Sequence, residues 1–404
     1  MRPALEVADI LRAHGGAYRA RHRVSGEQAT VMRHLVDCRT AALGGHVEAC
    51  DDCGFRRVSY NSCRDRHCPK CQAAKRAQWV EQRLARLLPV PYFHVIFTLP
   101  EQRKPLVLRN LRRVYGLWFQ CASATLLQLA ADPKRLGAQL GRTAVLHTWG
   151  QNLLFHPHLH CVVTGGGLAS GGNHWVAARE GYLLPVKVMA RLFRGKFLHG
   201  LQPWYEQNKL TFAGSTESLN NPQTFAALRD QLYRRDWIVY AKPPFGGAAQ
   251  VYRYLGRYTH RVAISNRRLI TMTNGQVRFH DKDYTHGDQT RQMTLNAEEF
   301  IRRFLRHVLP KRFVRIRHDG LMAGRNVDTR LVRCHALLKA DDSPATPTSS
   351  PSPPDQPYPS IISDSATCPR CQGPLRHWTF EAGQPPRLPI TNPRGRTVAI
   401  LDSS

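Results

Sequence analysis

Three histidines alternate through an apolar run that reads Phe155-His-Pro-His-Leu-His-Cys-Val-Val-Thr164. On a β-strand successive side chains point to opposite faces, so His156, His158 and His160 would share one face. Leu159, Cys161 and Val163 would then lie behind them, against a core. Imidazole is the commonest metal ligand, and two or three imidazoles on one rigid strand make a preorganised site for a divalent cation. A polar strand face of hydrogen-bonded histidines is the plainer alternative. Three in register beside an apolar face weigh against it.

Cysteine supplies a second constellation. Cys50-Asp-Asp-Cys53 and Cys68-Pro-Lys-Cys71 are two C-x2-C pairs separated by fourteen residues. Each pair can offer two thiolates, so the two together are expected to close one tetrahedral structural Zn2+ site. Cys38, His46, Cys63 and His67 lie close in sequence and are candidates to substitute as ligands or to build a second site. Arg64, Arg66 and Lys70 surround the knuckles and are expected to meet DNA, with a merely solvated basic face as the alternative. A further pair, Cys368 and Cys371, has no second C-x2-C beside it; Cys334, His335 or His377 are the partners in view.

A third group lies in 249–261, which reads as a helix. Tyr254 and Tyr258 are four apart and so share one helical face. Arg253, Arg257 and Arg261 have the same spacing on the adjacent stripe and would line a phosphate track. Taken alone, the two tyrosines read as core-facing aromatics. Beside a metal site they gain another reading, because a phenolate can attack a phosphodiester that a metal has polarised.

The bulk of the chain agrees with a polyanionic partner. Its 404 residues carry 58 Lys+Arg against 29 Asp+Glu, a net charge of +29, and binding to phosphates with release of counterions is the interaction such an excess favours. The first twenty residues lack the apolar stretch of a signal peptide, and no run approaches a membrane span. A reducing cytoplasm is therefore expected, where eleven cysteines mean metal rather than disulfides.

These groups must be positioned by regular elements. Periodicity predicts helices over 72–88, 103–131 and 297–309, and strands over 92–99, 143–149 and 236–240. Gly165, Gly166 and Gly167 are expected to end the histidine strand in a turn. Asn274-Gly275 between two β-type runs signals a hairpin. The resulting division is a zinc-binding, DNA-binding domain over 1–75, a catalytic domain over 76–335, a disordered Pro/Ser-rich linker over 336–366 and a short tail over 367–404.

Histidine–hydrophobe–histidine on a strand, with tyrosines on a helix, resembles the HUH endonuclease pattern. The N-terminal Asn61-Ser-Cys-Arg-Asp-Arg-His-Cys-Pro-Lys-Cys-Gln72 and the later Tyr254-Leu-Gly-Arg-Tyr-Thr-His-Arg-Val-Ala-Ile-Ser265 narrow it. Over about residues 30–335 the chain resembles the insertion-sequence 91 type of transposase, the two-tyrosine rolling-circle group. The resemblance implies an α+β fold, with a central antiparallel sheet, flanking helices and a small preceding zinc-binding domain. It implies catalytic Mg2+ or Mn2+ on His158 and His160, and nucleophiles at Tyr254 and Tyr258. The third ligand is left open by the motif, with His156 as the same-face candidate and Gln151 and His260 behind it. The activity implied is cleavage and rejoining of single-stranded DNA, at transposon ends and target, through a 5′-phosphotyrosine. No Walker-type loop is present, so host replication or helicase machinery would supply unwinding. The protein would work in the bacterial cytoplasm at the nucleoid. Two other classes fit parts of the pattern. One is a non-catalytic zinc-ribbon DNA-binding protein. The other is a His-x-His metallohydrolase, which usually wants an acidic ligand that the stretch between Thr143 and Asn173 lacks.

Overall fold

The computed structural model describes residues 5–101, 104–242, 263–283, 289–340, 367–386, 390–391 and 397–398. The expected tyrosine helix, with Arg253, Arg257, Arg261 and His260, lies outside them, as does most of the expected linker.

The architecture is α+β, built on an antiparallel sheet. Strands β3 (Tyr92–Thr98), β4 (Ala138–Trp149), β5 (Phe155–Ala169), β7 (Val239–Lys242) and β11 (Ile316–Gly320) pair in the order β11-β4-β5-β3-β7. The short β6 (Trp175–Ala177) joins the far end of β5. The histidine strand is therefore the central one, with a partner on each side. Its rear face is apolar as the alternation requires. Leu159, Cys161 and Val163 are fully buried with Val95 and Phe97 of β3 and Ala144 of β4. Helices α5 (Leu111–Ala131), α6 (Val186–Glu206) and α7 (Pro222–Arg234) contribute to the same core through Trp118, Phe193, Phe197 and Phe225. A charge is also buried there. The guanidinium of Arg142 pairs with Asp319 across the β4–β11 register and also reaches the Phe119 carbonyl.

Local expectations are corrected at several points. The predicted helix over 103–131 is two helices, α4 (Lys104–Arg109) and α5, parted at Asn110. The Asn110 backbone departs from helical dihedrals (φ −127°, ψ 36°), and its side chain donates to the Thr211 carbonyl (2.9 Å) and accepts from the Thr211 amide (2.8 Å). Gly165, Gly166 and Gly167 do not end β5. They continue it, because neighbouring backbone passes too close for side chains. A Cβ at Gly165 would sit 2.7 Å from the Pro91 carbonyl, and one at Gly167 would sit 2.5 Å from that of Gln139.

The N-terminal part begins with α1 (Val7–Arg21) and α2 (Gly26–Asp37), the latter capped by Ser25. Helix α1 packs on α8 (Ala297–Leu305). That helix stops at Leu305, short of the expected Leu309. The hairpin β8 (Leu269–Thr273)–β9 (Gln276–Asp283) turns at Asn274 and Gly275, both with positive φ as a tight hairpin turn requires, and β10 (Gln289–Asn296) pairs with β9. Val7, Ile10, Met32, Leu35, Cys38 and Cys68 share one buried cluster with Val277, Phe279, Phe300 and Phe304. Finally β1 (Gly45–Cys50) pairs with β2 (Arg56–Tyr60) on one side and, on the other, with β12 (Leu375–Phe380) from the far end of the chain.

Candidate functional site

The front face of the sheet carries imidazoles from three adjacent strands. His158 and His160 project from β5. His147 on β4 lies directly across from His158 in the antiparallel register, and His94 on β3 is paired with Val162, one step along the same face. One ring nitrogen from each of His147, His158 and His160 lies within 4.8 Å of the others, close enough to converge on a single cation. His147 is also stacked on Trp149, with centroids 5.2 Å apart.

The hydrogen bonds around this trio suit metal ligation. His158 Nδ1 lies 2.7 Å from the His156 carbonyl. A carbonyl only accepts, so Nδ1 carries the proton and Nε2 keeps its lone pair for the site. His160 Nδ1 lies 2.7 Å from His94 Nε2. With His160 donating there, its own Nε2 is freed in the same way. Burial holds the rings neutral. It lowers His158 from 6.5 to about 4, with the His156 carbonyl working against it. It lowers His94 to about 4, helped by the charge of Lys242, and it drives His160 well down, helped by the neighbouring His147, His158 and His94. These are neutral, fixed donors, the form in which imidazole binds metal.

The histidines that lie together therefore differ from the expected set in one member. His156 shares the strand face, but its side chain is exposed and stands outside the converging trio, which His147 completes. His147 and His94 were missed because each is a lone histidine in its own strand. The alternation of β4 does place His147 on the same side as Thr143 and Val145, but only the pairing register shows what it faces.

The cysteines also regroup. The expected single site of Cys50, Cys53, Cys68 and Cys71 is divided between two clusters. Cys68 and Cys71 meet Cys38 and Cys63, with Sγ–Sγ distances of 3.3 Å for Cys38–Cys71, 3.5 Å for Cys38–Cys68 and 3.6 Å for Cys63–Cys71. Cys50 and Cys53 meet Cys368 and Cys371 of the tail instead. Neither His46 nor His67 joins a thiol cluster. His46 stacks on His377 beside Glu48. His67 is held through Nδ1 by Asp65 (3.0 Å) and accepts the Leu309 amide at Nε2 (3.2 Å). Asp65 bridges to His34 as well, and these histidine partners hold its carboxyl down at about 2 against the upward push of burial.

The basic residues of this motif have separate fates. Arg64 is exposed, in a left-handed conformation with φ 53°. Arg66 instead donates to the Phe313 carbonyl, and Lys70 binds the Glu6 carboxylate (2.9 Å) and the Cys38 carbonyl (2.8 Å). The last two tie this part to its surroundings and are only partly exposed, whereas Arg64 is exposed.

Comparison with known proteins agrees with this organisation. Residues 10–99 match a family model described as "Transposase zinc-binding domain", and residues 141–330 match one described as "Putative transposase". The first spans the cluster of Cys38, Cys63, Cys68 and Cys71; the second spans His147, His158 and His160. The chain is 54% identical over 334 residues to "Putative transposase y4qJ" of Sinorhizobium fredii, covering 82% of this chain and 84% of that one. It is 30% identical over 334 residues to "Transposase for insertion sequence element IS801" of Pseudomonas savastanoi pv. phaseolicola, covering 80% and 76%. No solved structure matches. Among the described residues no helix is long and apolar enough to cross a membrane. With both its zinc-binding and its transposase regions matched, the chain belongs to the insertion-sequence 91 type of transposases.

Proposed function

We propose that this transposase cleaves and rejoins single-stranded DNA through a 5′-phosphotyrosine, in rolling-circle transposition. His147, His158 and His160 would hold Mg2+ or Mn2+, and Tyr254 and Tyr258 would be the nucleophiles. The observation that carries this reading is the convergence of three imidazoles on the front of the central sheet. Such an ion, when bound, acts as a Lewis acid on a phosphoryl oxygen.

The chain's own residues do the rest. His94 holds the His160 ring, and the His156 carbonyl holds that of His158. A tyrosine hydroxyl gives up its proton as its Oη attacks the scissile phosphorus, the bond to O3′ breaks, and the 3′ oxygen takes up a proton and leaves as a hydroxyl. The phosphodiester is exchanged for a phosphotyrosine, so a free 3′-hydroxyl can later attack it and restore the DNA link without a nucleotide cofactor. Two tyrosines allow one to keep the first 5′ end while the other cuts a second strand. The structural zinc of the N-terminal domain is assigned to Cys38, Cys63, Cys68 and Cys71. Net charge of +29 favours DNA as the partner and the nucleoid as the place of action, and without a Walker-type loop the unwinding would come from host enzymes.

The test is incubation of the full chain with labelled single-stranded element ends and Mn2+. A labelled species that survives SDS, mapped by peptide sequencing to Tyr254 or Tyr258, is expected, and Tyr254→Phe with Tyr258→Phe should abolish it while DNA binding persists. Cleavage without a covalent adduct, or an adduct elsewhere in the chain, would overturn the mechanism.

A further inference from the structure

The C-terminal C-x2-C pair is separated by more than 310 residues from the N-terminal pair it meets. Sγ of Cys50 lies 3.5 Å from that of Cys371, Sγ of Cys53 lies 3.5 Å from that of Cys368, and all four atoms fall within 4.8 Å of one another. Four thiolates at about 2.3 Å from one Zn2+ in a tetrahedron stand about 3.8 Å apart. The separations fit that cage and are far too long for disulfides, whose sulfurs sit at about 2.0 Å.

The backbone repeats itself around the two pairs. In the first, the Cys50 amide donates to the Phe55 carbonyl (2.9 Å) and the Gly54 amide to the Cys50 carbonyl (3.1 Å). In the second, the Cys368 amide donates to the Gly373 carbonyl (2.7 Å) and the Gln372 amide to the Cys368 carbonyl (2.8 Å). Gly54 and Gln372, at matching positions, both have positive φ, 69° and 61°. These are two copies of one knuckle, each aiming a pair of thiols at a shared centre. The Cys68–Cys71 pair is built differently: there the Cys68 amide donates to the Asp65 carbonyl (3.2 Å) and the Cys71 amide to the Cys68 carbonyl (3.3 Å).

Independent contacts keep the tail in place. Strand β12 runs antiparallel to β1 over six residue pairs, from Gly45–Phe380 to Cys50–Leu375. Arg376 pairs with Asp51, and the Gly383 amide donates to the Ala41 carbonyl (2.9 Å). Gly373 passes so near the Asp52 carboxylate that a Cβ there would collide with it.

We infer that Cys50, Cys53, Cys368 and Cys371 bind a second structural Zn2+, which fastens the C-terminal tail to the N-terminal domain as the third strand of its ribbon. The zinc-binding part of this transposase is then assembled from both ends of the chain.

The test is metal analysis of the purified full chain under reducing conditions, with hydrogen exchange across β1 and β12. The wild type should hold two zinc ions. Cys368→Ser with Cys371→Ser should hold one, and β1 should lose protection on its tail-facing edge. Cys121→Ser with Cys334→Ser, two buried cysteines outside both clusters, should still hold two. One zinc in the wild type would overturn the inference without reference to any variant. So would two zinc ions in the Cys368/Cys371 variant. Titration with Co2+ gives a second readout: two equivalents with thiolate charge-transfer bands are expected, and a single equivalent contradicts the site.

Discussion

At the scale of residues, the proposed metal site rests on His147 as much as on the two histidines of the sequence motif. His147→Ala is expected to lose single-strand nicking to the same extent as His158→Ala, at least about 100-fold, since loss of a direct ligand exceeds the 10- to 100-fold typical of an outer partner. DNA affinity should stay near normal in a gel-shift assay. His156→Ala should be the milder change. His94→Gln acts through the His160 ring and should weaken Mn2+ binding by about 10- to 100-fold, read as the metal concentration for half-maximal nicking. Equal activity of His147→Ala and wild type would remove His147 from the site. Arg64 and Arg66 should separate cleanly. Arg64→Ala should reduce the salt dependence of single-strand binding by about 0.7 in log–log slope, as one lost phosphate contact does. Arg66→Ala should leave that slope alone and lower the thermal midpoint, because its partner is the Phe313 carbonyl.

At the scale of elements, β5 is the part that must not shift, because a one-residue slip would turn its histidines into the core. The glycines at its far end allow the strand to run unbroken between close neighbours. Gly165→Ala and Gly167→Ala should each cost about 1–3 kcal/mol through forced overlap with the Pro91 and Gln139 carbonyls, measured by denaturant unfolding. Gly172→Ala, where nothing lies within 4 Å, tests a different effect, the strain of φ 69° alone. At the near end the β4–β5 connection is pinned by His307. Its Nε2 lies 3.0 Å from the Leu153 carbonyl and its Nδ1 lies 3.2 Å from the Thr148 hydroxyl, so the ring donates to one and accepts from the other. Leu153 is fully buried with φ 61°, a conformation that the surrounding contacts must hold.

At the scale of the whole molecule, buried histidines make the fold sensitive to acid. Burial lowers His307 from 6.5 to about 4, and His318 likewise to about 4. The unfolded chain takes up these protons first as pH falls. Stability is therefore fully present above about pH 6.5 and is lost progressively toward pH 4. For the fully buried His307 the loss is on the order of 3 kcal/mol. The thermal midpoint should fall over this window, and His307→Gln should flatten the dependence. A midpoint independent of pH between 4 and 6.5 would contradict it. The net charge of +29 acts over the whole surface instead, and should make DNA affinity fall steeply with salt in the wild type.

Much of this was legible in the sequence because it depends on local periodicity. Alternation fixed which face of β5 carries His158 and His160 and which carries Leu159, Cys161 and Val163. Asn274-Gly275 specified its hairpin, and the cysteine pairs and the excess of Lys and Arg pointed to zinc and nucleic acid. What tertiary structure decided is which of these groups meet. His147 reaches the site through cross-strand register, a relation between residues that no spacing along the chain encodes. The cysteines were grouped by nearness in sequence, whereas the fold pairs Cys68 and Cys71 with Cys38 and Cys63 and brings Cys368 and Cys371 back to Cys50 and Cys53. Thiol clusters are selected by closeness of Sγ atoms in space, and strand pairing of β12 with β1 can supply that closeness from opposite ends of a chain at the modest entropic cost of a long loop.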